Sequence, residues 1–226
     1  MGWFKLINGK VKIYIIYILI FLTFSCVDKK KDSENISKRI ESNMELEKLS
    51  LDKDSNSTLK QWVEFYQEVD PNFRLNYFEL KSIDSMTITQ GDVFGNFDKN
   101  FDPIYSDFLV FRADKKQYID FDSYQWTFNK DKTLSYSPDQ AINLIDIETK
   151  KVSRIGFRGP SQWVEDVFWE NDSTIILLEN SYEKQLMITK IQLNSKITKT
   201  FEYRDTINFA PKYSEFRFKK MGFKHQ

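Results

Sequence analysis

Apolar positions fall into distinct regimes along this chain. In residues 58–71, TLKQWVEFYQEVDP, they recur at helical spacing, with Leu59, Trp62, Val63, Tyr66 and Val69 on one face. Thr58-x-x-Gln61 has the form of a capping box and Pro71 follows the last turn. The pattern predicts one N-terminal amphipathic helix whose aromatic stripe packs on the body. From Phe73 onward the rhythm shortens and the chain reads as strands. DFLVFRADKKQYIDFD sets two apolar runs around a polar turn at residues 113–116. AINLIDIETKKVSRIGF alternates through Ile142, Leu144, Ile147 and Val152, with a turn at 148–151. TIILLENSYEKQLMITKIQLNSKITKTFEY gives three more runs, with turns at 180–184 and 194–196. Short β-branched and aromatic runs with a turn every eight to twelve residues predict a mainly β, antiparallel fold.

The stretch SQWVEDVFWENDSTIILLE, residues 161–179, fits the same scheme. Trp163, Val164, Val167, Phe168 and Trp169 form one strand, END and Ser173 a turn, and Thr174 to Leu178 its partner. Glu165 and Asp166 are then expected near a strand entry, accepting backbone hydrogen bonds from a turn. At the C-terminus, PKYSEFRFKKMGFKHQ alternates Phe216 and Phe218 with Arg217 and Lys219. It predicts a last edge strand with outward charges.

Two segments share an order of features: residues 124–157 and 167–203 each run Trp, Asn/Asp turn, strand, turn, strand, tight polar turn, strand. Trp126 and Trp169 lie 43 residues apart, Ile145 and Ile191 46 apart. That period resembles the blades of a β-propeller, and SYSPDQAINLIDIETKKV resembles a WD40-type blade interior. The resemblance covers residues 124–203. A closed propeller needs more blades than the chain has room for, so the expected architecture is a set of antiparallel meanders arranged as a partial propeller or a sandwich.

The third regime lies at the start. Three lysines (Lys5, Lys10, Lys12) precede IYIIYILIFLTF, an apolar or near-apolar run over residues 13–24. A bilayer span needs ~20 such residues. A basic leader, a short apolar run and Ser25 instead describe a signal peptide over residues 1–25, with a short uncleaved anchor helix as the alternative. LTFSC, ending at Cys26, resembles a bacterial lipoprotein signal of the looser kind found in Bacteroidetes. It departs from the usual pattern in Thr23, where Leu is common, and in Phe24. The resemblance implies that Cys26 carries acyl chains such as palmitate, and that the protein sits in the cell envelope at the outer membrane, its face left open. Two or more chains, at ~0.8 kcal/mol per buried CH₂, make such an anchor stable. Residues 26–57 then form the lipidated cysteine and a charge-rich tether without aromatics, Pro or Gly after it. Residues 58–226 form one β-rich domain.

Composition narrows the chemistry. The chain has 226 residues with 33 basic and 33 acidic side chains, and without its leader it is slightly acidic. It lacks the basic footprint of a nucleic-acid binder. One cysteine and one histidine, His225, allow neither a disulfide framework nor a Cys/His metal site within one chain, and they leave a histidine triad only a terminal candidate. DKNFD at 98–102 and NKDK at 129–132 lack the ligands of an EF-type loop, and GDVFGNFD lacks the features of a phosphate loop. No cofactor or metal is expected.

What remains is carboxylates beside aromatics. YIDFDSYQW puts Asp120 and Asp122 on one strand face beside Tyr124 and Trp126, and QWVEDVFW puts Glu165 and Asp166 beside Trp163 and Trp169. Arg158 stands in the FRGPS loop as a candidate rim cation. Paired carboxylates are what glycan hydrolysis requires, and Trp and Tyr faces stack on sugars. Period-two aromatics are also what a β core contains. The expectation is therefore a lipid-anchored, non-catalytic envelope binding or accessory module, with these residues as a ligand surface for an envelope glycan or protein. A carboxylate-dependent glycan hydrolase is the alternative.

Overall fold

A computed structural model describes residues 48–207 and 213–225, so the leader, Cys26 and most of the tether lie outside the described residues. The first described segment already packs. Lys48 bridges to Glu79, and Leu49 and Leu51 lie against the core. Helix α1 (Ser57–Val69) follows, and its cap is not the expected one. The Asn56 side chain accepts from the backbone N–H of Thr58 (2.9 Å) and Leu59 (3.3 Å). Asn accepts as well as Thr here and sits two residues earlier in the chain. Leu59, Trp62, Val63 and Tyr66 are buried as the stripe predicts, whereas Val69 is exposed.

The rest of the chain is mainly antiparallel sheet. β1 (Phe78–Ser85) and β2 (Thr89–Gln90) precede a long loop ending in a 3-10 turn (Pro103–Phe108). That loop interrupts the run of strands expected from Phe73 onward. Then come β3 (Val110–Phe111), β4 (Gln117–Asp120), β5 (Trp126–Phe128), β6 (Thr133–Tyr136), β7 (Gln140–Asp146) and β8 (Lys151–Arg158). β9 (Gln162–Asn171), β10 (Thr174–Ser181), β11 (Met187–Gln192) and β12 (Ile197–Tyr203) complete the meanders. Helix α2 (Tyr213–Lys220) and the short β13 (Lys224–His225) close the described chain.

Two five-stranded sheets result, in the orders β3-β4-β7-β8-β2 and β9-β10-β11-β12-β1. The β5–β6 hairpin is inserted into the first sheet's meander and forms a small third sheet with β13, which runs parallel to β6. Ile145 and Ile191 do occupy equivalent third strands, β7 and β11. Trp126 and Trp169 do not correspond, because Trp126 belongs to the inserted hairpin and Trp169 to the first strand of the second meander. The tight turns have a shared device: Lys115, Lys132, Lys150, Lys184 and Lys196 adopt positive φ, each in the turn of a different hairpin. The left-handed conformation costs a non-glycine residue about 1 kcal/mol or more, and here the flanking ladders impose it.

Packing explains why β10 reads as an unbroken apolar run. Ile175 and Leu177 point into a core shared with Ile119, Phe121, Ile142 and Ile155 of the first sheet. Ile176 and Leu178 point the other way, onto Trp62, Tyr66 and Tyr213 of the two helices. A strand covered on both faces has no polar side to show. Each buried aromatic of this second core removes roughly 150–250 Å² from water, about 4–6 kcal/mol before entropy is charged.

The C-terminal segment corrects the edge-strand expectation. Residues 213–220 are helical, with Tyr213 and Phe218 fully buried. Phe218 joins Phe108, Trp126 and Phe128 in the core of the small sheet, and Tyr213 joins the core against α1. Arg217, read as an outward charge, lies inside between them. Among the described residues no helix is long and apolar enough to cross a membrane.

Candidate functional site

Glu165 and Asp166 lie within β9, not at its entry, and a bulge places them. Leu178 pairs with Asp166 while Glu179 pairs with Val164, which leaves Glu165 as the extra residue. A bulge re-aims side chains. Here Val164 and Val167 both enter the inter-sheet core, and Glu165 and Asp166 both meet groups of the helices. The ladder disrupted at Val164 is repaired from the first sheet. Gln140, fully buried, accepts from the Val164 N–H (2.6 Å) and donates to the carbonyls of Val164 (3.1 Å) and Phe121 (3.0 Å).

Glu165 is completely inaccessible. Its Oε2 accepts from Trp62 Nε1 (2.8 Å) and the Tyr66 hydroxyl (2.7 Å), and its Oε1 accepts from Asn180 Nδ2 (3.2 Å). Burial pushes its carboxyl up to about 7, against the pull of these donors. Asp166 accepts from the Tyr213 hydroxyl (3.0 Å) and the Val167 N–H (2.9 Å). Burial raises it to about 6, opposed chiefly by the charge of Arg217. Arg217 itself forks onto Asp122, Nη1 to Oδ2 at 2.8 Å and Nη2 to Oδ1 at 2.6 Å, between the rings of Phe121 and Phe218. Asp122 is beyond the end of β4, so it does not share a strand face with Asp120 as expected. Asp120, raised by burial, accepts from the Ser123 N–H and hydroxyl. All four acids therefore sit inside the protein, held by its own donors.

The aromatics divide differently. Trp126 and Trp163, far apart in sequence, line one cleft of about 360 Å³ together with Tyr136, Tyr182, Pro138 and Pro160. Trp163 is half-buried and meets Tyr182 edge-on at 5.4 Å, and Tyr182 is 70% exposed. Asn180 and Tyr213, which hold Glu165 and Asp166, also line this cleft.

The chain matches no family model, no curated protein and no solved structure.

The remaining expected residues lie elsewhere. Trp169 donates from Nε1 to the Val110 carbonyl (2.9 Å) and lies under the Arg112 guanidinium, tying β9 to β3 across the sheets. Arg158 is spent on the buried Glu179, with Nε to Oε2 at 2.5 Å, and is no rim cation of the aromatic cleft. Tyr124 packs at 6.3 Å from Phe157, outside the cleft lining. Among the described residues no group of three or more His, Cys, Asp or Glu side chains is placed to hold a metal.

Sequence reasoning missed Gln125, Tyr136 and Tyr182 at the cleft, and Gln140, Tyr213 and Arg217 in the buried network. Tyr182 carried a signal: a large aromatic within a polar hairpin turn, NSYEKQ, has no strand face to occupy.

Proposed function

We propose that the protein is a membrane-anchored binding module of the cell envelope, held by acyl chains on Cys26 and binding its ligand in the aromatic cleft without catalysis. One observation supports the binding site above the others. Trp126 and Trp163 converge on a ligand-sized concavity, while the acids that a hydrolase would use are enclosed by protein donors. Pockets that take small ligands are concave and mainly apolar, with few polar groups. Glycan hydrolysis needs two carboxyl groups facing the same bond, one of them meeting solvent or substrate, and Glu165, Asp166, Asp120 and Asp122 have their oxygens turned to Trp62, Tyr66, Asn180, Tyr213, Ser123 and Arg217.

The finer architecture follows the same reading. The four-stranded units β3-β4-β7-β8 and β9 to β12 are blade-like meanders stacked as a sandwich, each extended at one edge by a strand from the N-terminal part, β2 or β1.

Amide replacement at Asp120, Asp122, Glu165 and Asp166 tests the division of labour. Stability is expected to fall in these variants while ligand capture by folded protein persists, and Trp163→Ala is expected to lose capture. A glycan-cleaving activity of the wild type that any one amide abolishes would replace this reading with the hydrolase.

A further inference from the structure

Resting on that reading, we infer that the cleft takes a neutral saccharide, and that the side-chain amide of Gln125 is the group that recognises its hydroxyls. Gln125 lines the cleft and is 8% exposed. Its backbone is fully engaged: its N–H donates to the Asp122 carbonyl and its carbonyl accepts from Ser137. Its side-chain amide has no hydrogen-bond partner among the described residues. Neither amide atom is sealed from solvent, so the group is open to the cleft, and a ligand hydroxyl there takes the place of water on it.

The chemistry of an amide selects the ligand. Oxygen and nitrogen together need both a donor and an acceptor. Sugar hydroxyls are both at once. A proline-rich segment, the other chemistry that suits aromatic and proline walls, offers carbonyls but no N–H at its prolines, and would leave the Gln125 oxygen unpaired. The aromatic part of the cleft supplies the complementary surface. Tyr182 is exposed beside the half-buried Trp163, and such rings present flat apolar faces to the C–H faces of a pyranose. Other polar groups on the walls are already oriented. Asn180 is fixed by Glu165 and by the Ser181 N–H, and Gln162 donates to Glu179 at 2.7 Å. Lys184 and Glu215 contribute one charge of each sign to the lining, which favours no net charge on the ligand.

The test titrates the full-length protein with maltohexaose, cellohexaose, mannohexaose and xylohexaose, and with decaproline, following tryptophan fluorescence and heat. At least one hexasaccharide is expected to bind saturably, with affinity reduced tenfold or more in Gln125→Leu and in Trp163→Ala. Tyr182→Ala, a change at an exposed side chain that leaves the core intact, is expected to weaken binding by a similar factor. Saturable binding of decaproline without any saccharide overturns the ligand class and leaves the cleft as a binding site. Saccharide binding unchanged by all three substitutions puts the site elsewhere. Silence of the wild type toward every probe overturns both the inference and the proposed binding cleft.

Discussion

Arg217→Met is expected to destabilise the protein by about 3–5 kcal/mol, a large part of the 5–15 kcal/mol that holds a typical domain folded. The cause is not the loss of an attraction as such. The Asp122 side chain is 1% exposed and both its oxygens accept from the Arg217 fork, so removing the guanidinium leaves a carboxylate enclosed without a partner. Arg217 also stacks between Phe121 and Phe218 and opposes the charge of Asp166, so the loss reaches α2 and β9 together. The double variant Asp122→Leu/Arg217→Met removes both charges and is expected to recover most of the loss, since well-packed apolar groups replace buried pairs at little cost. Urea unfolding of the wild type, both single variants and the double variant reads this directly. A single Arg217→Met change within about 0.5 kcal/mol of wild type would mean that Asp122 is solvated after all.

The second large effect concerns pH and has an unusual sign. Glu165 moves from an ordinary 4.5 to about 7 on folding, and Asp166 from 3.8 to about 6. Between roughly pH 4 and 7 the folded protein holds protons that the unfolded chain has released, so stability falls as pH rises. The contribution is fully present below the unfolded pKa values and gone above the folded ones. It amounts to about 3 kcal/mol for each group at most, and less for two neighbours titrating together. Asp114, held near 2 by Arg112, and the lowered Asp54, Asp131 and Asp146 act in the opposite sense, but only in more acid solution. Denaturant unfolding at pH 5 and pH 8 is therefore expected to show the greater stability at pH 5. Glu165→Gln and Asp166→Asn, whatever their absolute stabilities, are each expected to flatten the slope. A wild type equally stable at both values would place these carboxylates in water.

Most hairpins and turn positions were legible because alternation and turn chemistry are local. The helix stripe was legible for the same reason, apart from Val69, which no neighbour covers. What escaped is non-local. Arg217 sits between two phenylalanines, and nothing in FRF distinguishes an outward charge on a strand from a buried one on a helix. Only Asp122, 95 residues away, decides it. The bulge at Glu165 is likewise invisible in QWVEDVFW, because its repair comes from Gln140 on another sheet. The cleft was half legible. Trp126 and Trp163 were singled out by their chemistry, but their convergence depends on the inserted β5–β6 hairpin, which a simple repeat does not anticipate.

Everything proposed for this protein assumes that its β body works while held at a membrane by Cys26. Intact mass and membrane fractionation of the wild type beside Cys26→Ser test that claim most directly. The account predicts a diacyl or triacyl mass increment on a mature chain beginning at Cys26, with both the increment and the membrane association lost in the variant. An unmodified, soluble wild type cut near Ser25 would contradict it.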